Sequence, residues 1–106
     1  MSEKSRGVHF TVRGTKTLAP ASCYLHQYVI NCSAAGTGPW TLKIQDRGGT
    51  PKILVSAFNL SVPTNGLPLV SKFFDKPIPM DTGIDAVVAG GADDGVAEVY
   101  VNFTDG

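Results

Sequence analysis

The chain has 106 residues, room for one domain with one modest core, and its nine basic and nine acidic residues cancel. That balance gives no electrostatic reason to expect nucleic acid or an anionic membrane surface as a partner. Apolar runs such as "ILV" at 53–55 and "AVVA" at 86–89 are far too short to span a bilayer.

The opening segment, "MSEKSRG" at 1–7, is polar and lacks the apolar stretch of a signal peptide. It is expected to be a flexible tail on a protein made in the cytoplasm, with 8–106 as a single domain. The first predicted strand, 8–13, puts Val8, Phe10 and Val12 on one face and His9, Thr11 and Arg13 on the other. The second, 23–32, is bracketed by Cys23 and Cys32. A continuous strand would hold their Cα atoms about 30 Å apart, where a disulfide needs less than about 7 Å. Their positions also differ in parity, which predicts opposite faces. Without a second ligand pair they form no zinc site, and buried, inert thiols are expected.

The run at 40–46 turns Trp40, Leu42 and Ile44 inward. The runs at 52–62 and 68–75 are apolar on both parities, which suits strands covered on both faces by a second sheet or another subunit. A strand at 83–89 follows, and the last, 96–104, places Ala97, Val99, Val101 and Phe103 opposite Glu98, Tyr100 and Asn102. Glycine- and proline-rich turns separate these runs, and the apolar period is two almost everywhere. The fold class is therefore all-β, a single antiparallel β-sandwich or jelly roll of about seven to eight strands.

Asp81, Asp85, Asp93 and Asp94 could offer oxygen ligands to calcium, but their spacing lacks the order of a dedicated calcium loop. "GGADDG" at 90–95 is expected to be the turn of a hairpin between the last two strands. His9 and His26 show no third ligand or nucleophile at a motif spacing, and the sequence contains no nucleophile elbow or phosphate-binding loop. The expectation is a protein without catalytic residues, metal or cofactor. Tyr24, Tyr28 and Tyr100 are the candidates for an alternative role, a carbohydrate- or small-ligand-binding platform. Tyr100, which shares its face with Glu98 and Asn102, is the aromatic expected to be exposed.

Four stretches, "CYLHQYVINCSAAGTGPWTLKIQD", "ILVSAFNLSVPTNG", "FFDKPIPMDTGIDAVVAGG" and "VAEVYVNF", together carry a resemblance over Tyr24–Phe103. The chain resembles small β-sandwich proteins of tailed phages and prophage-like regions. In these, a strand ending in an L-x-I-x-D run precedes a turn, and an F-D-x-P-I-x-M-x-x-G-I stretch leads to a final alternating strand. The resemblance implies a virion- or assembly-associated structural protein that acts through protein–protein contacts. It also implies a symmetric homo-oligomer, such as a trimer or ring, with other structural proteins as further partners. It brings no catalytic residues. The strands apolar on both faces place the expected interface at Ile53, Val55, Phe58, Leu60, Val70 and Phe73.

Overall fold

Period-two alternation becomes eight strands in a computed structural model of the chain, which describes residues 3–47, 54–63 and 68–106. In chain order they are β1 (Lys4–Phe10), β2 (Gly14–Ala19), β3 (Cys23–Ala34), β4 (Thr41–Asp46), β5 (Leu54–Asn59), β6 (Val70–Met80), β7 (Ile84–Ala89) and β8 (Val96–Asp105). One sheet has the order β1-β8-β3-β6 and the other β2-β7-β4-β5. β1 pairs with β8, β2 with β7, β3 with β6 and β4 with β5, always antiparallel. The chain is thus a ribbon of nested strand pairs wrapped over two facing sheets, which is the jelly-roll arrangement. No helix among the described residues is long and apolar enough to cross a membrane.

The core lies between the sheets. Phe10, Leu25, Ile30, Val99, Val101 and Phe103 of the first sheet face Leu42, Ile44, Ile84, Ala86 and Val88 of the second. Trp40 closes one end, wholly buried, as its place beside Leu42 and Ile44 predicts. Its indole Nε1 donates to the Ala92 carbonyl at 2.6 Å, and its own carbonyl accepts from the Leu60 amide at 2.8 Å. A buried indole needs such a partner, because an unsatisfied donor in the core costs about 1–3 kcal/mol.

Three expectations are corrected here. The first strand starts earlier than predicted: Lys4–Gly7 pair with Tyr100–Phe103 of β8, so the supposed tail is sheet edge from Lys4 onward. That strand stops at Phe10 and leaves Val12 exposed. β2, "GTKTLA", escapes the alternation test because a bulge after Thr17 turns both Leu18 and Ala19 into the core. Finally, β7 and β8 belong to different sheets, so the 90–95 turn crosses the sandwich and does not close a hairpin. Among the described strands, β4 and β5 are the consecutive pair that does form a ladder.

β3 carries the feature on which the faces depend. Leu25 lies opposite Phe103 and Gln27 opposite Asn102, so one extra residue, His26, is inserted into the central strand. A one-residue bulge reverses which parity faces the core. Cys23 and Leu25 point inward before it; Tyr28, Ile30 and Cys32 point inward after it. Both cysteines are therefore buried on the same side, where a continuous strand would have put them on opposite faces. The His26 ring Nε2 lies 3.0 Å from Thr104 Oγ1 across the ladder.

Deleting His26 should remove the bulge and let one unbroken alternation carry Cys23, Leu25, Tyr28, Ile30 and Cys32 into the core. The expected outcome is a cooperative urea transition, retained when followed by far-UV circular dichroism. His26→Ala keeps the residue count and should still fold, at a cost near the ~1 kcal/mol of one net hydrogen bond.

Candidate functional site: the outer face of the first sheet

Register and burial define the side of β1-β8-β3-β6 that faces away from the core. β1 contributes Ser5, Gly7 and His9 to it, and β8 contributes Glu98, Tyr100, Asn102 and Thr104. β3 adds Tyr24, Gln27, Val29 and Asn31, and β6 adds Ser71, Phe73 and Pro79. No lysine or arginine occupies any of these positions. Of the basic residues of these strands, Lys4 stands opposite Phe103, Arg6 opposite Val101 and Lys72 opposite Tyr28, all core-facing partners, and Lys76 lies in the unpaired stretch of β6 between Phe73 and Ile78. Lys4 pairs with Asp105 at 2.9 Å, and the Lys72 ammonium lies 6.0 Å from the centre of the Phe74 ring.

The face is knit by side chains. Ser5 Oγ donates to Asn102 Oδ1 at 2.6 Å, and Asn102 Nδ2 donates to Gln27 Oε1 at 3.0 Å, a polar line across three strands. The Tyr100 hydroxyl donates to Glu98, whose other oxygen lies 3.8 Å from His9 Nδ1. That hydrogen bond raises the phenol's pKa above its ordinary value, because the neutral phenol is the form that donates to the carboxylate. The Tyr100 ring leans over the edge strand at Gly7, where a Cβ would sit 2.5 Å from ring Cδ1. A bare glycine on an edge strand is thereby covered by a cross-strand aromatic ring.

The structure does not assemble the three-tyrosine platform. Tyr100 and Tyr24 are each 42% exposed on this face, but Tyr28 is only 6% exposed, turned inward by the bulge and stacked at 5.9 Å on Phe74. Tyr24 stands opposite Thr104, four residues along β8 from Tyr100, roughly 13 Å at strand spacing.

The expected interface patch is also divided. Leu60 is a core residue, 2% exposed, and cannot meet another subunit; Val55 and Val70 pack partly against the core. Ile53 lies outside the described residues, as does the side chain of Phe58. Phe73 remains: 64% exposed, on the outer face beside Gln27. The absence of lysine and arginine from the outer positions of β1, β8 and β3 escapes sequence inspection, since it emerges only when strands from both ends of the chain are paired.

The acidic loop at 90–95 has structural work. Arg13 donates from its backbone amide (2.9 Å) and Nε (2.8 Å) to Asp93 Oδ1, and from Nη1 to the Gly91 carbonyl (2.7 Å). Asp94 accepts from the Thr37 amide at 2.7 Å and from the Thr37 hydroxyl. The loop therefore ties the β1–β2 and β3–β4 connections together at one end of the sandwich. Gly91 has a φ of +59°, and a Cβ there would lie 2.1 Å from the Gly38 carbonyl oxygen, so no other residue fits. Of the other two aspartates, Asp85 accepts from Thr17 Oγ1 at 2.8 Å, and Asp81 is exposed in the β6–β7 turn. Cys23 is desolvated and lies near Asp105 and Asp46, which pushes its thiol up to about 11; burial also raises Cys32. Both shifts favour the protonated thiol over the thiolate. Compared with known proteins, the chain matches no family model and no curated sequence.

Hydrogen bonds from Arg13 and Thr37 hold the Asp93 and Asp94 carboxyls below the ordinary carboxylate range. A carboxylate with a depressed folded-state pKa contributes stability above its unfolded value and loses it as pH falls through the folded one. Acidification below about pH 4 should therefore lower the thermal midpoint of the native chain more steeply than that of Asp93→Asn. Scanning calorimetry across that range checks it; parallel curves would refute the linkage.

Proposed function

We propose that this chain is a non-enzymatic structural or assembly protein that works through protein–protein contacts, a virion-type component of the kind its sequence resembles. One observation carries this reading: of the five large apolar side chains exposed among the described residues, Tyr24, Phe73 and Tyr100 stand on one sheet face whose paired outer positions hold no lysine or arginine. Protein interfaces are distinguished by this signature, aromatic residues gained and charged residues lost at the centre of a patch. An ordinary solvated sheet face is instead interspersed with charges of both signs. The jelly roll supports the reading without deciding it, since it serves capsid and lectin domains alike.

A second reading, a carbohydrate- or small-ligand-binding module, rests on the Tyr100 ring lying over Gly7 with Glu98 and Asn102 beside it. A printed neutral-glycan array, with Tyr100→Ala as the comparison, tests it directly.

The assembly reading predicts a mass above the monomer by light scattering at micromolar concentration. Phe73→Asp should lower that mass while moving stability by no more than about 0.5 kcal/mol, since the residue is exposed. A wild-type chain that is monomeric throughout a wide dilution series would sink the self-associating form of the proposal.

A further inference from the structure

We infer that the partner for the outer face of β1-β8-β3-β6 is a second copy of the chain, stacked on the same face about a two-fold axis to give four layers of sheet. The inference rests on the assembly reading and names its partner.

The first argument is self-complementarity. In a two-fold interface the same patch meets itself, and residues near the axis meet their own copies. A lysine or glutamate there faces a like charge. The middle of this face is instead Tyr100, Val29, Asn102 and Gln27. The two amides carry more donors and acceptors than the Ser5–Asn102–Gln27 line uses, so each can pair with its own copy. The Tyr100 ring, its hydroxyl proton held by Glu98, and Val29 meet identical apolar surfaces. The one carboxylate, Glu98, lies toward one end with His9. In an antiparallel stack it is carried away from its own copy.

The second argument is area. Four strands about 4.8 Å apart, along a ten-residue β8 rising about 3.3 Å per residue, give a footprint of roughly 600 Å² per copy. The total, roughly 1,200 Å², reaches the lower end of stable interfaces. Neither half of the face would suffice alone, so the contact must use the sheet as a whole.

The third argument removes the main competitor, strand addition at the edges. On β6, Phe73 opposes Gln27 and Ile78 opposes Leu25, so Phe74, Asp75, Lys76 and Pro77 bulge out against the single residue His26. Pro77 and Pro79 also lack an amide donor. A bulged, proline-bearing edge does not template another strand. The β1 edge carries Lys4 and Arg6, the cationic protection typical of edges.

The test is a cross-link at the proposed axis. Val29→Cys adds a half-exposed thiol on the outer face of a protein whose own Cys23 and Cys32 are buried, so a short bis-maleimide, able to span the about 10 Å between stacked sheets, should give a covalent dimer on a denaturing gel. Lys43→Cys, on the outer face of the other sheet, should not cross-link. Asn102→Arg sets like charges together at the axis and should weaken the dimer at least tenfold by sedimentation; Gln27→Arg provides the same test should Asn102→Arg fail to fold. An oligomer that forms without the Val29→Cys cross-link and ignores both arginines overturns the two-fold stack and leaves the assembly reading standing. A wild-type monomer at high micromolar concentration overturns the stack together with the self-associating form of the assembly reading. A monomer whose binding to printed neutral glycans depends on Tyr100 would overturn the stack in favour of a saccharide on the same face.

Discussion

One inserted residue sets the character of both faces of this protein. Were the strand to run through His26 without a bulge, the alternation begun at Cys23 and Leu25 would carry Gln27, Val29 and Asn31 into the core and push Tyr28, Ile30 and Cys32 out. Burying an amide without its partners costs about 1–3 kcal/mol, and exposing isoleucine and tyrosine forfeits comparable apolar burial. The bulge thus decides the core and the outer surface together. Its place in β3 matters because β3 lies between β8 and β6 and transmits the shift to both neighbours. On β8 the ladder skips no residue at that step, while β6 absorbs it with a four-residue excursion.

The two ends and the flat face divide the work of the fold. Around Trp40 the chain spends its most specific hydrogen bonds, Nε1 to Ala92 and the aspartate pair to Arg13 and Thr37. All of these join loops that lie far apart in sequence. At the opposite end, Asp46 is buried yet satisfied, accepting from the Thr82 amide at 2.9 Å and hydroxyl at 2.8 Å. With both ends committed to holding the sandwich shut, the sheet faces are what remains to meet another molecule. Of these, the outer face of the second sheet carries Lys43 and Asp85, and the paired outer positions of the first hold neither a lysine nor an arginine.

Alternation made some positions legible from the sequence alone. Trp40, Leu42 and Ile44 are inside and Tyr100 is outside because β4 and β8 run through their central stretches without interruption. Tyr28 and Cys32 were misassigned because a bulge leaves no local mark: any residue can be inserted, and His26 looks like its neighbours. β2 was invisible for the related reason that Leu18 and Ala19 are adjacent yet both buried. The 90–95 loop reads as a hairpin because glycine and aspartate make tight turns whether the next strand pairs locally or crosses the sandwich. Leu60 looked like an interface residue because a strand apolar on both sides does not say which side the monomer itself covers. The candidate face was illegible in principle, since alternation gives faces but not neighbours, and Ser5, Asn102 and Gln27 meet only through the pairing of β1, β8 and β3.

The nested pairing has a consequence for how the chain comes to be folded. β1 finds its ladder partner only in β8, and β2 only in β7, so nearly every stabilising contact of the first two strands spans most of the sequence. Loop closure over such separations must precede any reward, which makes folding slow relative to domains built from local contacts. During synthesis the two strands emerge long before their partners exist, and Phe10 and Leu18 stay exposed in the meantime. The lysines, arginine and threonines that crowd β1 and β2 keep those waiting segments soluble, and they leave the β4–β5 ladder, the pairing between consecutive strands among the described residues, as the natural place for structure to begin.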